Sequence, residues 1–153
     1  MTSTEIALLL NSNSEKITRI GEIIGKKIEE KDNFENLNEF EKTFILIDVF
    51  EHSVTNGGFV QLFFNSSGQF AHEILQAYIA IEATKTVEII SKAIQLFPVI
   101  PVPKNLRIRQ QALMTSSENL DLWDSLDIEF DKYEDDIIQL TIDYVRKNIH
   151  YFD

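Results

Sequence analysis

Cysteine is absent from this 153-residue chain. That excludes disulfides, zinc–thiolate sites and cysteine catalysis. Glycine (5) and proline (3) are scarce, so the chain is neither collagen-like nor a linker. Positive charge is short too: 14 lysines and arginines stand against 25 aspartates and glutamates, a formal net charge of −11. A protein this acidic repels phosphates, which excludes nucleic-acid binding by general electrostatics. None of the apolar runs approaches the roughly 18 residues of a membrane span. The longest early run, Ile6 to Leu10, is too short for a secretory signal, and no base precedes it. The expected location is the cytoplasm.

Sustained period-two alternation is missing as well, so β structure is not expected. What is present is 44% hydrophobic and 25% charged residues, ordinary for a soluble globular chain. The length predicts one domain, 1–153. Its pattern predicts an all-α bundle of about six or seven helices. Residues Ser14 to Lys31 place Ile17, Ile20, Ile24 and Ile28 on one helical face. Gly21 and Gly25 within that stretch point to a close helix contact. Asn38 to Thr55 opens with a capping residue and two acids, Glu39 and Glu41. It is apolar nearly all round from Phe44 to Phe50, so it should lie at the centre of the bundle.

The sequence predicts that this helix stops at Asn56-Gly57-Gly58, with Gly57 or Gly58 at positive φ. A short apolar segment, Phe59 to Phe64, follows. Further helices are expected over Phe70–Ala83, from Thr84 or Thr86 to Phe97, over Asn105–Thr115, and over Ser117–Tyr133 with Asp135–His150, the last two as one bent helix. Pro98, Pro101 and Pro103 predict an extended connection within the domain.

The most distinctive feature is acidic. Between Glu118 and Asp143 there are ten carboxylates and one base, Lys132. On a helical wheel, Leu122, Trp123, Leu126, Phe130, Tyr133 and Ile137 fall on one side. Asp121, Asp124, Asp127, Asp131, Glu134 and Asp135 fall on the other. The reading is a solvent-facing row of negative charge on an apolar anchor, of the kind that a basic protein surface recognises. An ordinary surface helix also sets charge opposite an apolar stripe. However, a purely structural surface mixes signs, and like charges at this spacing destabilise a helix.

Other chemistries find no support. Asp48, Glu51 and His52 lack the Glu-x-x-His pairs of a di-iron bundle. His72 and Glu73 are adjacent and do not converge. Asp127 to Asp131 resembles a calcium loop, but Lys132 takes the place of the required glycine. No nucleophile elbow or phosphate-cradling loop occurs. Lys104, Arg107 and Arg109 read as solvated charge at a helix start. Neither a catalytic residue nor a metal nor a cofactor is expected.

The run Val54 to Gly68, with Asn56, Gly57, Gly58, Phe59, Gln61, Asn65, Ser66, Ser67 and Gly68, resembles the signature of the bacterial DNA-mimic protein family. Glu51 and Val54 match the Glu-x-x-Val that precedes that signature. Ile81-Glu82-Ala83 matches a downstream Ile-Gly-Ala element, and Leu126 to Tyr133 resembles an acidic Phe-x-x-Tyr region. Thr55 stands where the family pattern has asparagine, and Glu82 where it has glycine. The resemblance covers roughly residues 36–150. It implies an all-helical fold, a structural role for the signature, and a family in which one member blocks basic proteins by mimicking DNA.

Two functions follow. The first is a non-enzymatic acidic protein that covers the basic surface of a DNA-binding protein. The second is an immunity-type or scaffold protein that binds another protein by mixed contacts. The expected partner is a protein, a second copy of the chain included. No direct nucleic-acid or membrane contact is expected.

Overall fold

Residues 1–153 are described by a computed structural model in which every regular element is helical. The helices are α1 (Ser3–Ala7), α2 (Asn13–Gly25), α3 (Glu39–Phe64), α4 (Ala71–Ala80), α5 (Thr84–Gln95), α6 (Leu106–Met114), α7 (Leu120–Asp131) and α8 (Ile137–Lys147). Three short 3-10 turns, at Ser66–Phe70, Ser117–Asn119 and Ile149–Tyr151, complete the chain. The all-α expectation holds, with eight helices where six or seven were expected.

The axis of the bundle is α3. Asn38 caps its start by accepting from the Phe40 and Glu41 amides, and the Glu41 carboxylate accepts in return from the Asn38 amide at 3.1 Å. Buried Glu41 also pairs with Lys27 at 2.5 Å, which ties the end of α2 to this cap. From there α3 buries Phe44 to Ile47, Phe50, Val54, Phe59, Leu62 and Phe63. Its apolar pattern runs all round because helices pack on several sides of it.

The helix does not stop at Thr55. It kinks at Gly58 (φ 73°, ψ −168°) and resumes through Phe64, so the expected short segment is its second half. That backbone conformation is essentially open to glycine alone, which is why the kink falls there.

The larger core cluster joins both halves of α3 to α4, α5 and α7. Within it the Phe50 ring packs on Phe59, Tyr78 and Phe130 with centroids 5.2–5.8 Å apart. A smaller cluster joins α1 and α2 to Phe44, Ile45, Val145 and Phe152. Residues 1–35, outside the family resemblance, therefore pack against the start of α3 and the C-terminal helix. The Asp153 side chain accepts from the Ser3 and Thr4 amides at 3.0 and 3.1 Å.

Three local expectations change. Helix α2 ends at Gly25, which is exposed and has nothing near its missing Cβ. Only Gly21 lies against a neighbour, Phe44, at ordinary contact distance. α7 and α8 are not one bent helix, because Tyr133 takes φ 46° and breaks the chain between them. Arg109 is not solvated but wholly buried.

Candidate partner-binding face

α7 is anchored by its apolar stripe. Trp123, Leu126 and Phe130 are buried, as the wheel predicts. The Trp123 indole donates to the Ala93 carbonyl at 3.0 Å, and Asn119 donates to the Leu96 carbonyl at 2.9 Å. Both bonds fix α7 on the C-terminal half of α5. Leu122, assigned to the same stripe, is instead 51% exposed, and Tyr133 is 46% exposed.

The six carboxylates divide. Asp121, Asp124, Asp131 and Glu134 face solvent. Asp127 and Asp135 do not belong to that row. Asp127 lies at the edge of the buried stripe and turns inward, where its Oδ1 accepts from the Phe59 amide at 2.9 Å. Burial pushes its pKa above the ordinary 3.8, the Phe59 bond opposes that rise, and Asp124 and Asp131 add to it. Asp135 lies beyond the break, and its Oδ2 accepts from the Thr86 amide (2.8 Å) and hydroxyl (3.0 Å) in the first turn of α5. Each of these two carboxylates satisfies helix N-terminal donors that would otherwise be unpaired.

Two exposed acids near the row, Glu118 and Glu129, were passed over in the sequence. They flank the apolar positions on the wheel, and only the exposure of Leu122 shows that this flank meets solvent.

A second acidic group lies on α3. Glu51 accepts from the Tyr78 hydroxyl at 2.5 Å and from the Tyr133 hydroxyl at 3.0 Å. Burial raises the Glu51 pKa, and the two hydroxyls oppose the rise. The Tyr133 phenol is pushed up to about 12, first by burial and then by the charge on Glu51. His52 turns back to the Asp48 carbonyl at 2.8 Å. No three His, Asp or Glu side chains converge in a way that could hold a metal ion.

The signature glycines lie at the two ends of the second half of α3. A Cβ on Gly58 would overlap the Asp127 carboxylate. A Cβ on Gly68 would come within 2.5 Å of the Arg109 Nε. Arg109 reaches through that gap and donates to the carbonyls of Phe63 (2.7 Å) and Asn65 (2.6 Å). It also donates to Pro103 and Lys104. The segment Phe59–Phe64 thus carries a carboxylate at its N-terminal end and a guanidinium at its C-terminal end, the arrangement its dipole favours. Gly57 lies under Gln61, whose Cβ leaves no room for another there.

A family model described as DMP19-like protein matches residues 35–148. The chain belongs to the DMP19-like family. No curated protein and no solved structure matches the chain. In this DMP19-like chain Gly58 makes the kink of α3, the Phe59 amide meets the Asp127 carboxylate after it, and Asn65 and Gly68 meet Arg109 at its exit, while Asn56 and Gln61 are exposed. Phe59 and Phe63 are buried, whereas Phe64 is 46% exposed. No helix is long and apolar enough to cross a membrane.

Proposed function

We propose that this DMP19-like protein acts without catalysis, by setting its α7 face against the basic surface of a DNA-binding protein. The observation that carries the reading is the exposed set Asp121, Asp124 and Asp131, held on a helix whose other side is locked by Trp123 and Phe130, with exposed Glu134 just beyond its end. Membership of a family named for a DNA mimic supports it. Charges held rigidly lose little entropy on binding, and they steer a basic partner during encounter.

The face is not a full copy of a phosphate row. Asp121 and Asp124 are separated by a rise of about 4.5 Å, and Asp131 follows after about 10 Å, since Asp127 is turned in. Duplex DNA offers a phosphate on each strand about every 3.4 Å of axis. The match is to a few basic side chains at a time. Exposed Leu122 and Ile128 (63% exposed) on the same helix favour a contact in which charge is joined by apolar surface.

The test is competition. Basic proteins retained from native cytoplasm at low salt are challenged on the immobilised protein with duplex DNA. Displacement by duplex, and weaker displacement by a neutral polymer, is the expected result. Retention that duplex DNA leaves untouched means that the face does not occupy a DNA-binding surface.

A further inference from the structure

Leu122 lines a groove between α5 and α7 with a volume of about 480 Å³. Its walls are Lys92, Gln95 and Leu96 on α5, and Leu122, Ser125, Leu126 and Glu129 on α7. The Trp123–Ala93 and Asn119–Leu96 hydrogen bonds clamp the two helices that form it. The groove is therefore preformed, with leucines along its base and side.

The walls themselves carry one acid, Glu129, and one base, Lys92, and the excess of negative charge lies on α7 outside them. Glu129 stands seven residues after Leu122 and so shares its side of α7, and exposed Asp121 is next to Leu122. On the opposite wall the charged side chain is Lys92. An occupant meets negative charge along α7 and one positive charge on α5.

We propose that this groove receives an amphipathic basic helix of the partner. Its apolar side chains lie on Leu96, Leu122 and Leu126. Its lysines or arginines project over Glu129 and Asp121, and a neutral or acidic residue meets Lys92. Asp124 and Asp131, on the far edge of α7, are left to another part of the same partner. An apolar stripe at i, i+4 and i+7 is what a helix presents to such a groove. The inference rests on the acidic-face reading and adds to it the part of the partner that is seated and the apolar contact that seats it.

The experiment uses the full chain and three synthetic helical peptides. The first carries leucine at i, i+4 and i+7 with lysines along one flank. The second has glutamine for each leucine, and the third has glutamate for each lysine. Binding is followed by amide NMR at low and high salt. The leucine–lysine peptide should shift Lys92 to Leu96 and Leu122 to Glu129. It should bind at least about tenfold tighter than the glutamine peptide, the factor expected when a leucine side chain is buried. The glutamate peptide should not bind. Leu122→Gln should remove the leucine advantage, and Ile108→Gln, exposed on α6 and away from the groove, should keep it.

Equal affinity of the leucine and glutamine peptides, no effect of Leu122→Gln, or shifts elsewhere overturns the groove proposal. If that binding still falls with salt and with Asp121→Asn, the acidic-face reading survives alone. If the groove residues shift but neither salt nor Asp121→Asn matters, the acidic-face reading fails and the basic occupant fails with it.

Discussion

Asp127 on α7 accepts a hydrogen bond from the Phe59 amide, 68 residues earlier, at the point where α3 restarts after its kink. The contact exists because Gly58 has no side chain, so the carboxylate sits where a Cβ would be. A residue that reads as one member of a surface stripe is thereby part of the joint between two helices.

Replacing Gly58 with alanine should destabilise the fold by well over about 1 kcal/mol, since both the positive φ and the overlap with Asp127 oppose it. Asp127→Ala should cost about 1 kcal/mol through the lost cap. The two should not add, because the second removes the overlap that the first creates. Urea unfolding of both single variants and the double variant measures this. Additive costs would show that the two residues are not coupled.

Arg109 should be intolerant of lysine. A lysine has three donors and no planar fork, so some of the four carbonyls now bonded to Arg109 would lose their donor. Each buried group left unpaired costs about 1–3 kcal/mol. Arg109→Lys should therefore lower stability by about 3 kcal/mol, while Arg107→Lys, exposed, should have little effect. A thermal melt of each variant distinguishes them.

Glu82 ends α4 in the left-handed region, at φ 63°. The Glu82 amide donates to the Ile79 carbonyl and the Ala83 amide to the Tyr78 carbonyl, the pairing of a helix end that glycine favours. The family pattern has glycine here. Glu82→Gly should raise stability by about 1 kcal/mol by relieving the Cβ strain. A lowered melting temperature would mean that the Glu82 side chain contributes more than its backbone loses.

Much of this was legible in the sequence. Asn38 with Glu41 marked the start of α3, and the apolar faces of Phe44–Phe50 and Trp123–Phe130 gave the core. A positive φ at Gly57 or Gly58 was legible, but neither the choice of Gly58 nor the kink, because a helix that resumes after a bend leaves the same apolar pattern as two elements. Arg109 looked like surface charge because its acceptors are backbone carbonyls, which no residue type announces. Asp127 and Asp135 look like Asp121 and Asp124 on a wheel, and only tertiary packing shows which carboxylates meet a helix N-terminus.

The Glu51–Tyr133 contact predicts a pH dependence. The folded pKa of Glu51 lies above its ordinary 4.5, and those of Asp48 and Asp127 above 3.8. Stability from these groups is full below the ordinary values and is lost as pH rises through the folded ones. The melting temperature should therefore fall as pH rises from the ordinary carboxylate values, 3.8 and 4.5, through the folded ones. In a spectrophotometric titration, the Tyr133 phenol should lose its proton at about 12. Tyr133→Phe should remove that step. Glu51→Gln should move it down toward 10.0 without reaching it, because burial, the largest cause, remains. A step unmoved by Glu51→Gln would show that the carboxylate has no hold on Tyr133.

The central claim is that exposed charge on α7 and just beyond its end carries partner binding. Its most direct measurement is the affinity of a partner, isolated by retention at low salt, for the wild type and for a variant with Asp121→Asn, Asp124→Asn, Asp131→Asn and Glu134→Gln. Both are measured across a salt series, with a thermal melt as control. The account predicts that the wild type loses affinity steeply with salt. The variant should bind far more weakly and with a flatter salt dependence, while its stability holds or rises as like-charge repulsion is relieved. Equal affinity of the two proteins at every salt concentration would contradict the account.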